Sequence, residues 1–499
     1  MAARKTRKRR KTAKKPRHRI PGWVAPGVML IMTLGYATVF TATTLNEHNK
    51  LWYGNFDLGV PDQGIWLLSR FETPFLTVRG LHLFGDHASY IHILVAPIYW
   101  VWDNVKALLI LHTLVLASGA IIVFFLARLS VKSDLTALVC SFSYLMFPAL
   151  HFSNLDQGYH YESFTVPLIL LGYYFLKVGS HRGYWVTFAL AIICKEEIAL
   201  SLTLFGLYIM FFMRQWKVGT ATVAVSIVYA LLVMNVLFPA FTGVNYDSTF
   251  HSAKAFGSYG RTMTDKIKSM TNATLMEMRL NTDQNREYVY KLLAPVAFIP
   301  VMSPAFYAAT NLYINLLSDW AYSHQIAYHY VTPIIPFVYI GLVNFLSLFS
   351  RRRYVLYPLC IILVAAAFWG NYNVAPYQSS SKNNDVWWNL KNPNHFYKEV
   401  EGAYNLMEKI PKDASVCASY NLVSHLTHRK TIFMYTNPFK TEFYGVDNLQ
   451  KPPDIKPEYI LLDMNLNEPQ RYIINNLTSS GAYRLYDRKA NFDLYKRVD

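Results

Sequence analysis

Trp23-Val-Ala-Pro-Gly-Val-Met-Leu-Ile-Met-Thr-Leu-Gly-Tyr-Ala-Thr-Val-Phe40 carries no charged side chain. Its length approaches the about 20 apolar residues that a bilayer core requires. A secretory leader would have a shorter apolar run and a small-residue cleavage site. Thr41 to Asn46 is polar and lacks an Ala-x-Ala pattern, so an uncleaved anchor is expected. Upstream, residues 1–19 hold eleven Lys or Arg and no acid, so the net charge of +17 falls to +6 over the remaining 480 residues. The basic excess is a tail that holds the N-terminus in the cytoplasm, and nucleic acid is not an expected partner.

Further apolar runs occupy about 106–127, 134–150, 164–178, 185–213, 219–240, 291–317, 331–349 and 354–370. Hydrophobic residues make up 53% of the chain and charged ones 16%, against about 25% in soluble domains. That balance excludes a disordered chain and argues against a soluble enzyme. Four cysteines exclude a disulfide scaffold.

The basic clusters are the tail, Arg128/Lys132, Lys177/Arg182, Arg214/Lys217 and Arg351/Arg352/Arg353. They share the cytoplasmic side if 185–213 and 291–317 each cross twice, breaking near Lys195-Glu196-Glu197 and Ser303-Pro304, and if His92–Trp102 is interfacial or re-entrant. The expectation is a polytopic α-helical membrane protein of about 11 transmembrane helices, N-terminus cytoplasmic and C-terminus outside. Its parts are a basic tail over 1–22, a transmembrane domain over 23–371 with a large first outer loop at 44–105, and a small α/β outer domain over 372–499.

This topology gathers polar residues on the outer face. The first loop holds Asn55-Phe-Asp-Leu-Gly-Val-Pro-Asp-Gln and Phe84-Gly-Asp-His-Ala-Ser. Later come Asn154-Leu-Asp-Gln-Gly-Tyr-His-Tyr-Glu-Ser, Lys195-Glu196-Glu197 and Ser323-His-Gln-Ile-Ala-Tyr-His-Tyr. Charges inside a span cost about 2.5–3.5 kcal/mol each on insertion scales, so Lys195, Glu196 and Glu197 either face protein or a wet cavity or form a turn outside the membrane. Asp62 follows Pro61, a good first helical residue, and either faces the positive end of a new helix or shares in chemistry with Asp57. Asp57, in an extended segment just outside the bilayer, is the candidate general base toward an acceptor hydroxyl, with Asp62 as second choice.

Asp86/His87, His160/Glu162 and His324/His329 offer ligand types for a metal or a phosphate. None has the close helical spacing of a dedicated metal motif, and a lone loop histidine is more often a surface or supporting residue. Asp86, His87 and His324 are the weak metal candidates. Phosphate-binding Gly-rich loops and a Gly-x-Ser-x-Gly elbow are absent from the sequence, so no nucleotide is expected.

Asn55-Phe-Asp-Leu-Gly-Val-Pro-Asp-Gln, Leu81-His-Leu-Phe-Gly-Asp-His-Ala-Ser, Cys194-Lys-Glu-Glu-Ile-Ala-Leu and Tyr328-His-Tyr-Val-Thr-Pro-Ile-Ile-Pro together resemble the membrane protein family catalogued as domain of unknown function 2079. The likeness runs from about Leu51 to Asp463. That family looks like a branch of the C-type (GT-C) glycosyltransferases, which move a sugar from a polyprenyl-phosphate carrier to an acceptor on the non-cytoplasmic side.

The resemblance implies a GT-C-like bundle in the plasma membrane. Its partners would be a polyprenyl-phosphate-linked sugar, a glycan, lipid or protein acceptor, and membrane lipids; a divalent cation is compatible with it. Arg79, His87, Lys195 and His329 are then the groups to bear the charge of the departing phosphate, while Glu196 and Glu197 position Lys195 or bind sugar hydroxyls. His160 and Glu162 complete the substrate-binding set. The alternative is a transporter or assembly scaffold with the same fold and no chemistry.

Overall fold

The computed structural model describes residues 21–245, 255–260, 262–375, 397–446 and 450–498. Residues 1–20 of the basic tail and 376–396 of the outer segment fall outside these residues.

The uncharged stretch and its polar continuation form one helix, α1 (Val24–Asn49). After the first outer loop, which carries α2 (Val60–Ser69), the chain returns in α3 (Lys106–Val131). Lys132 closes α3 at φ 55°, and Ser133 caps α4 (Asp134–Leu145) by accepting from the Thr136 amide. Pro148 begins α5 (Pro148–Leu155), bent 43° from α4. Then follow α6 (Thr165–Lys177), α7 (His181–Ile192), α8 (Ile198–Phe211), α9 (Trp216–Thr242), α10 (Ile335–Ser347) and α11 (Arg353–Asn373).

The α8–α9 pair packs backbone to backbone. A Cβ on Gly219 would sit 2.7 Å from the Gly206 carbonyl oxygen, the close approach that small residues permit between apolar helices.

Among the described residues, five helices are long and apolar enough to span a membrane, or six if the bent α4–α5 pair is one span. By length and composition this is fewer than the about 11 spans expected. Two of the remaining apolar stretches behave differently. Residues 185–213 break at 193–197, where the three charges interrupt the hydrophobic pattern. Residues 294–308 run as 3₁₀ turns beside α10, because Pro295, Pro300 and Pro304 remove backbone donors every four or five residues and Ala297 and Phe298 adopt φ of 53° and 57°.

The basic turns lie at one end of the bundle. The Arg353 guanidinium donates to the Lys132 carbonyl at 3.0 Å, and one cleft is lined by Lys177, Met213, Ser303 and Ser347.

At the other end lies the C-terminal segment, with α12 (Lys398–Met407) and α13 (Glu468–Ser479). The first loop holds a small pair, β1 (Phe75–Leu76) and β2 (Leu81–His82). The C-terminal segment has a five-stranded mixed sheet of β3 (Val416–Ala418), β4 (Ile432–Met434), β5 (Tyr459–Asp463), β6 (Tyr483–Lys489) and β7 (Phe492–Arg497) in the order β4-β3-β5-β7-β6. Strand β3 is parallel to β4 and β5, and the β5, β7 and β6 pairings are antiparallel. One apolar core joins Leu51, Val60, Leu76 and Leu83 of the first loop to Leu422, Val423, Ile432 and Leu461 of this segment. The outer segment is thereby seated on the first loop.

Candidate active site

Asp57 lies in a π-helical turn, Asn55–Gly59, that runs into α2. Such turns are uncommon and gather at functional sites. Gly54, just before it, has no room for a side chain, since a Cβ would come within 1.9 Å of the Tyr420 ring from the outer segment.

Opposite Asp57 stand His160 and His329. Their rings stack at 3.9 Å between centroids, and one ligand atom from each of Asp57, His160 and His329 falls within 4.8 Å of the others. Asp156 aligns both histidines. Its carboxylate is 2.9 Å from His329 Nδ1 and accepts from the His329 amide at 2.8 Å, while its carbonyl is 2.6 Å from His160 Nε2. Burial opposes a charge on His329, but Glu162, Asp156 and Asp57 outweigh it and raise its pKa, so the ring pairs with these carboxylates as an imidazolium. The turn that presents Asp156 is strained, with Gln157 at φ 49°.

A second layer continues from His329. Its Nε2 is 3.6 Å from Glu162 Oε1, which in turn lies 3.4 Å from Lys195 Nζ; Glu197 is 3.6 Å from the same nitrogen. Asn311 donates to Glu197 at 2.8 Å. Glu196 meets His87 Nδ1 at 2.8 Å and accepts from the Ala88 amide at 3.0 Å, which ties the first loop to the break between α7 and α8. The break therefore faces protein, and Lys195 is 4% exposed.

Electrostatics follow from this layering. Burial raises the Asp57 carboxyl above the ordinary carboxylate range, and His160 and His329 offset that only in part. Burial would also raise Glu162, yet Lys195, His329 and His160 together hold it far below its usual value. Burial opposes the charge on Lys195, but Glu162, Glu197 and Glu196 outweigh it and keep the ammonium protonated. Glu196 is held down to about 2, because His87 and Lys195 overcome its desolvation. His160 is lowered, chiefly by burial and by its stacked partner His329.

The structure thus brings together Asp57, His87, His160, Glu162, Lys195, Glu196, Glu197 and His329 through direct pairs and short links. It sends others elsewhere. Asp62 is fully buried, bonded to Tyr99 and Thr427 and 3.3 Å from His428, so its carboxylate is engaged at the junction with the outer segment. Arg79 bonds the Phe443 carbonyl and stands 5.8 Å from the Phe56 ring, away from the Lys195 layer. Both ring nitrogens of His324 are occupied, by Asn285 at 2.7 Å and the Ser318 carbonyl at 2.8 Å. Among the described residues, the grouping with metal-ligand spacing is Asp57, His160 and His329, a set the sequence did not pair, with one ligand atom from each within 4.8 Å of the others.

Asp156 was not singled out as a site residue by sequence reasoning. Its one signal is its place four residues before His160. Tyr420 and His428 gave none, since their proximity arises only when the outer segment folds onto the first loop.

With this geometry in view, the fold can be compared with known ones. ArnT from Cupriavidus metallidurans, solved bound to undecaprenyl phosphate, superposes with a TM-score of 0.54 at 11% identity, over 95% of this chain and 99% of that one. The Archaeoglobus fulgidus oligosaccharyltransferase, solved with Zn and sulfate, gives 0.40 at 12% identity over 92% and 73%. The same organism's AglB, with an inhibitory peptide and a dolichol-phosphate, gives 0.42 at 10% over 96% and 75%. At this identity the likeness to ArnT is one of fold, extending over almost the whole of both chains. Residues 47–494 match the family described as "Predicted membrane protein (DUF2079)", and the chain belongs to it. No curated protein matches the sequence.

Proposed function

We propose that this protein is a membrane glycosyltransferase that moves a sugar from a polyprenyl-phosphate carrier to an acceptor hydroxyl at the outer membrane interface. The observation that carries the reading is the convergence of Asp57, from the first loop, with the His160–His329 pair and the Lys195 layer behind it. Asp57 takes the acceptor's proton as its oxygen attacks the anomeric carbon. The bond from that carbon to the phosphate oxygen breaks, and the electron pair leaves on the phosphate. His160 and His329 orient the reacting groups, and Glu162, Lys195, Glu197 and the Glu196–His87 pair hold that arrangement rigid.

The charge balance favours a second role for Asp57. The cluster sets the carboxylates of Asp57, Asp156, Glu162, Glu196 and Glu197 against Lys195 and the ion-paired His87 and His329. An incoming phosphate would add charge to an already acidic site. A divalent cation held by Asp57, His160 and His329, with the His329 proton displaced, would reverse that penalty, and the bonds from Asp156 to both histidines are of the kind that orient metal-binding imidazoles. When bound, such an ion would neutralise the phosphate, and a carboxylate that ligates it is not the base.

Two measurements decide between these roles and test the whole. Purified protein is incubated with radiolabelled polyprenyl-phosphate sugars and a membrane extract as acceptor source; transfer by wild type that Asp57→Asn lowers by about 10²-fold or more supports the reading. Equal turnover in both proteins overturns it. Zn²⁺ or Mn²⁺ titration by calorimetry then separates the roles: binding lost in His160→Ala and Asp57→Asn supports the cation, and no heat in wild type leaves Asp57 as the base.

A further inference from the structure

Beside Asp57, on the side facing the outer segment, three aromatic rings form an open corner. Phe56, the residue preceding Asp57, is partly buried; its ring lies 5.6 Å from Tyr420 at 56° and 5.6 Å from Phe443 at 80°. These are not closed stacks. Tyr420 is 39% exposed and Phe443 44% exposed, whereas their neighbours Leu422 and Val423 are fully buried and already supply the seam between first loop and outer segment. The corner's exposed ring area is thus surplus to what holds the two parts together.

Phe443 is also held at φ 51°, a conformation that a bulky residue avoids unless its surroundings impose it. The turn is pinned by Asn437 bonds to Glu442 on one side and by the Gly445 amide to the Arg79 carbonyl on the other, and the Arg79 guanidinium bonds the Phe443 carbonyl while lying 5.8 Å from the Phe56 ring. A cation, a phenol and exposed ring faces thereby meet at Phe56, the residue before the candidate base, and Tyr420 is near enough for Asp57 to affect its phenol.

We propose that Phe56, Tyr420, Phe443 and Arg79 form the acceptor subsite and that its ligand is a sugar ring. This rests on the glycosyltransferase reading and names the chemistry on its acceptor side. The apolar C–H face of a pyranose packs on aromatic rings, and its hydroxyls take bonds from the Tyr420 phenol and the Arg79 guanidinium. A ring seated there presents a hydroxyl toward Asp57. A lipid tail would find rings broken by a guanidinium and a phenol. Arg79 further gives an acidic sugar the advantage over a neutral one.

Saturation-transfer NMR on the full-length protein in detergent tests this, with methyl β-glucopyranoside and methyl β-glucuronide as probes. Expected are transfer to the ring C–H protons in wild type and in Asp57→Asn, at least a five-fold loss in Phe443→Leu and Tyr420→Ala, and a larger loss for the glucuronide than for the glucoside in Arg79→Gln. Phe443→Leu keeps an apolar side chain at an exposed site, and an unchanged melting temperature certifies its fold. Equal transfer in wild type and Phe443→Leu overturns the subsite, as does no transfer to either probe in wild type. Undecaprenyl phosphate binding, followed by native mass spectrometry, separates the failures: lipid bound without glycoside defeats the subsite alone, and neither bound defeats the enzyme reading too.

Discussion

Asp57 and Lys195 show how opposite environments act on single residues within one cluster. Burial dominates at Asp57 and raises its carboxyl, so an Asp57 base is lost to protonation at a pH higher than an exposed aspartate would be. Transfer rate should therefore fall on acidification along a limb set above the ordinary aspartate value of about 4. A pH profile of kcat/KM checks this, and a limb at the ordinary value would contradict the assignment. Lys195 instead depends on its partners. Glu162→Gln removes the nearer carboxylate from a buried ammonium and from His329 Nε2. Breaking a buried pair in this way costs about 3–5 kcal/mol, so the variant should melt well below wild type in the same detergent. Glu162→Asp, which retains the charge, should recover part of the loss. An unchanged melting temperature in Glu162→Gln would mean that the Lys195 layer is not structural.

At the scale of elements, the junction between α2 and the outer segment turns on one imidazole. His428 stands between two carboxylates, 3.3 Å from Asp62 and 2.7 Å from Asp103, and Asp103 also meets Arg70 at 2.7 Å. Burial works against the charged ring, but Asp62 and Asp103 prevail and its pKa is raised. A histidine raised on folding contributes stability that is complete below its unfolded value of about 6.5 and is lost as pH rises through the higher folded value. The junction should loosen on the alkaline side, and lower amide protection factors over 416–434, with rates corrected for base catalysis, would report it. His428→Gln should show low protection at both pH values, and a pH-independent protection factor in wild type would count against the latch.

This element also marks where sequence reading stopped. Uncharged length alone exposed α1 and α3, and three charges in an apolar stretch exposed the break at 193–197. Hydropathy was blind to conformation at 294–308, where the composition suits a span but three prolines impose 3₁₀ turns. Asp62 does sit in the first turn of α2 after Pro61, as its sequence position suggests, whereas Tyr99, Thr427 and His428 reach it only through contacts distant in sequence. Asp57, His160 and Lys195 were legible because polar residues beside membrane spans are costly unless they have a use.

For the whole molecule, the arrangement of charge implies an orientation that can be measured. The turns holding Arg128/Lys132, Lys177/Arg182, Arg214/Lys217 and Arg351/Arg352/Arg353 connect consecutive helices, and the Arg353–Lys132 bond and the cleft lined by Lys177, Met213, Ser303 and Ser347 bring them to one end. With short basic loops on the cytoplasmic side, the expected orientation would have the Asp57 cluster and the five-stranded sheet outside. All four cysteines are buried, so single introduced thiols can be read against a low background. In intact cells a membrane-impermeant maleimide should label Lys412→Cys and Lys451→Cys, both exposed positions of the outer segment, and should spare Lys217→Cys and Arg352→Cys, exposed in the basic turns. Permeabilised cells should label all four. Labelling of Lys217→Cys in intact cells would reverse the orientation, and with it the access of the Asp57 site to an outer acceptor, while leaving the fold and the cluster as they are.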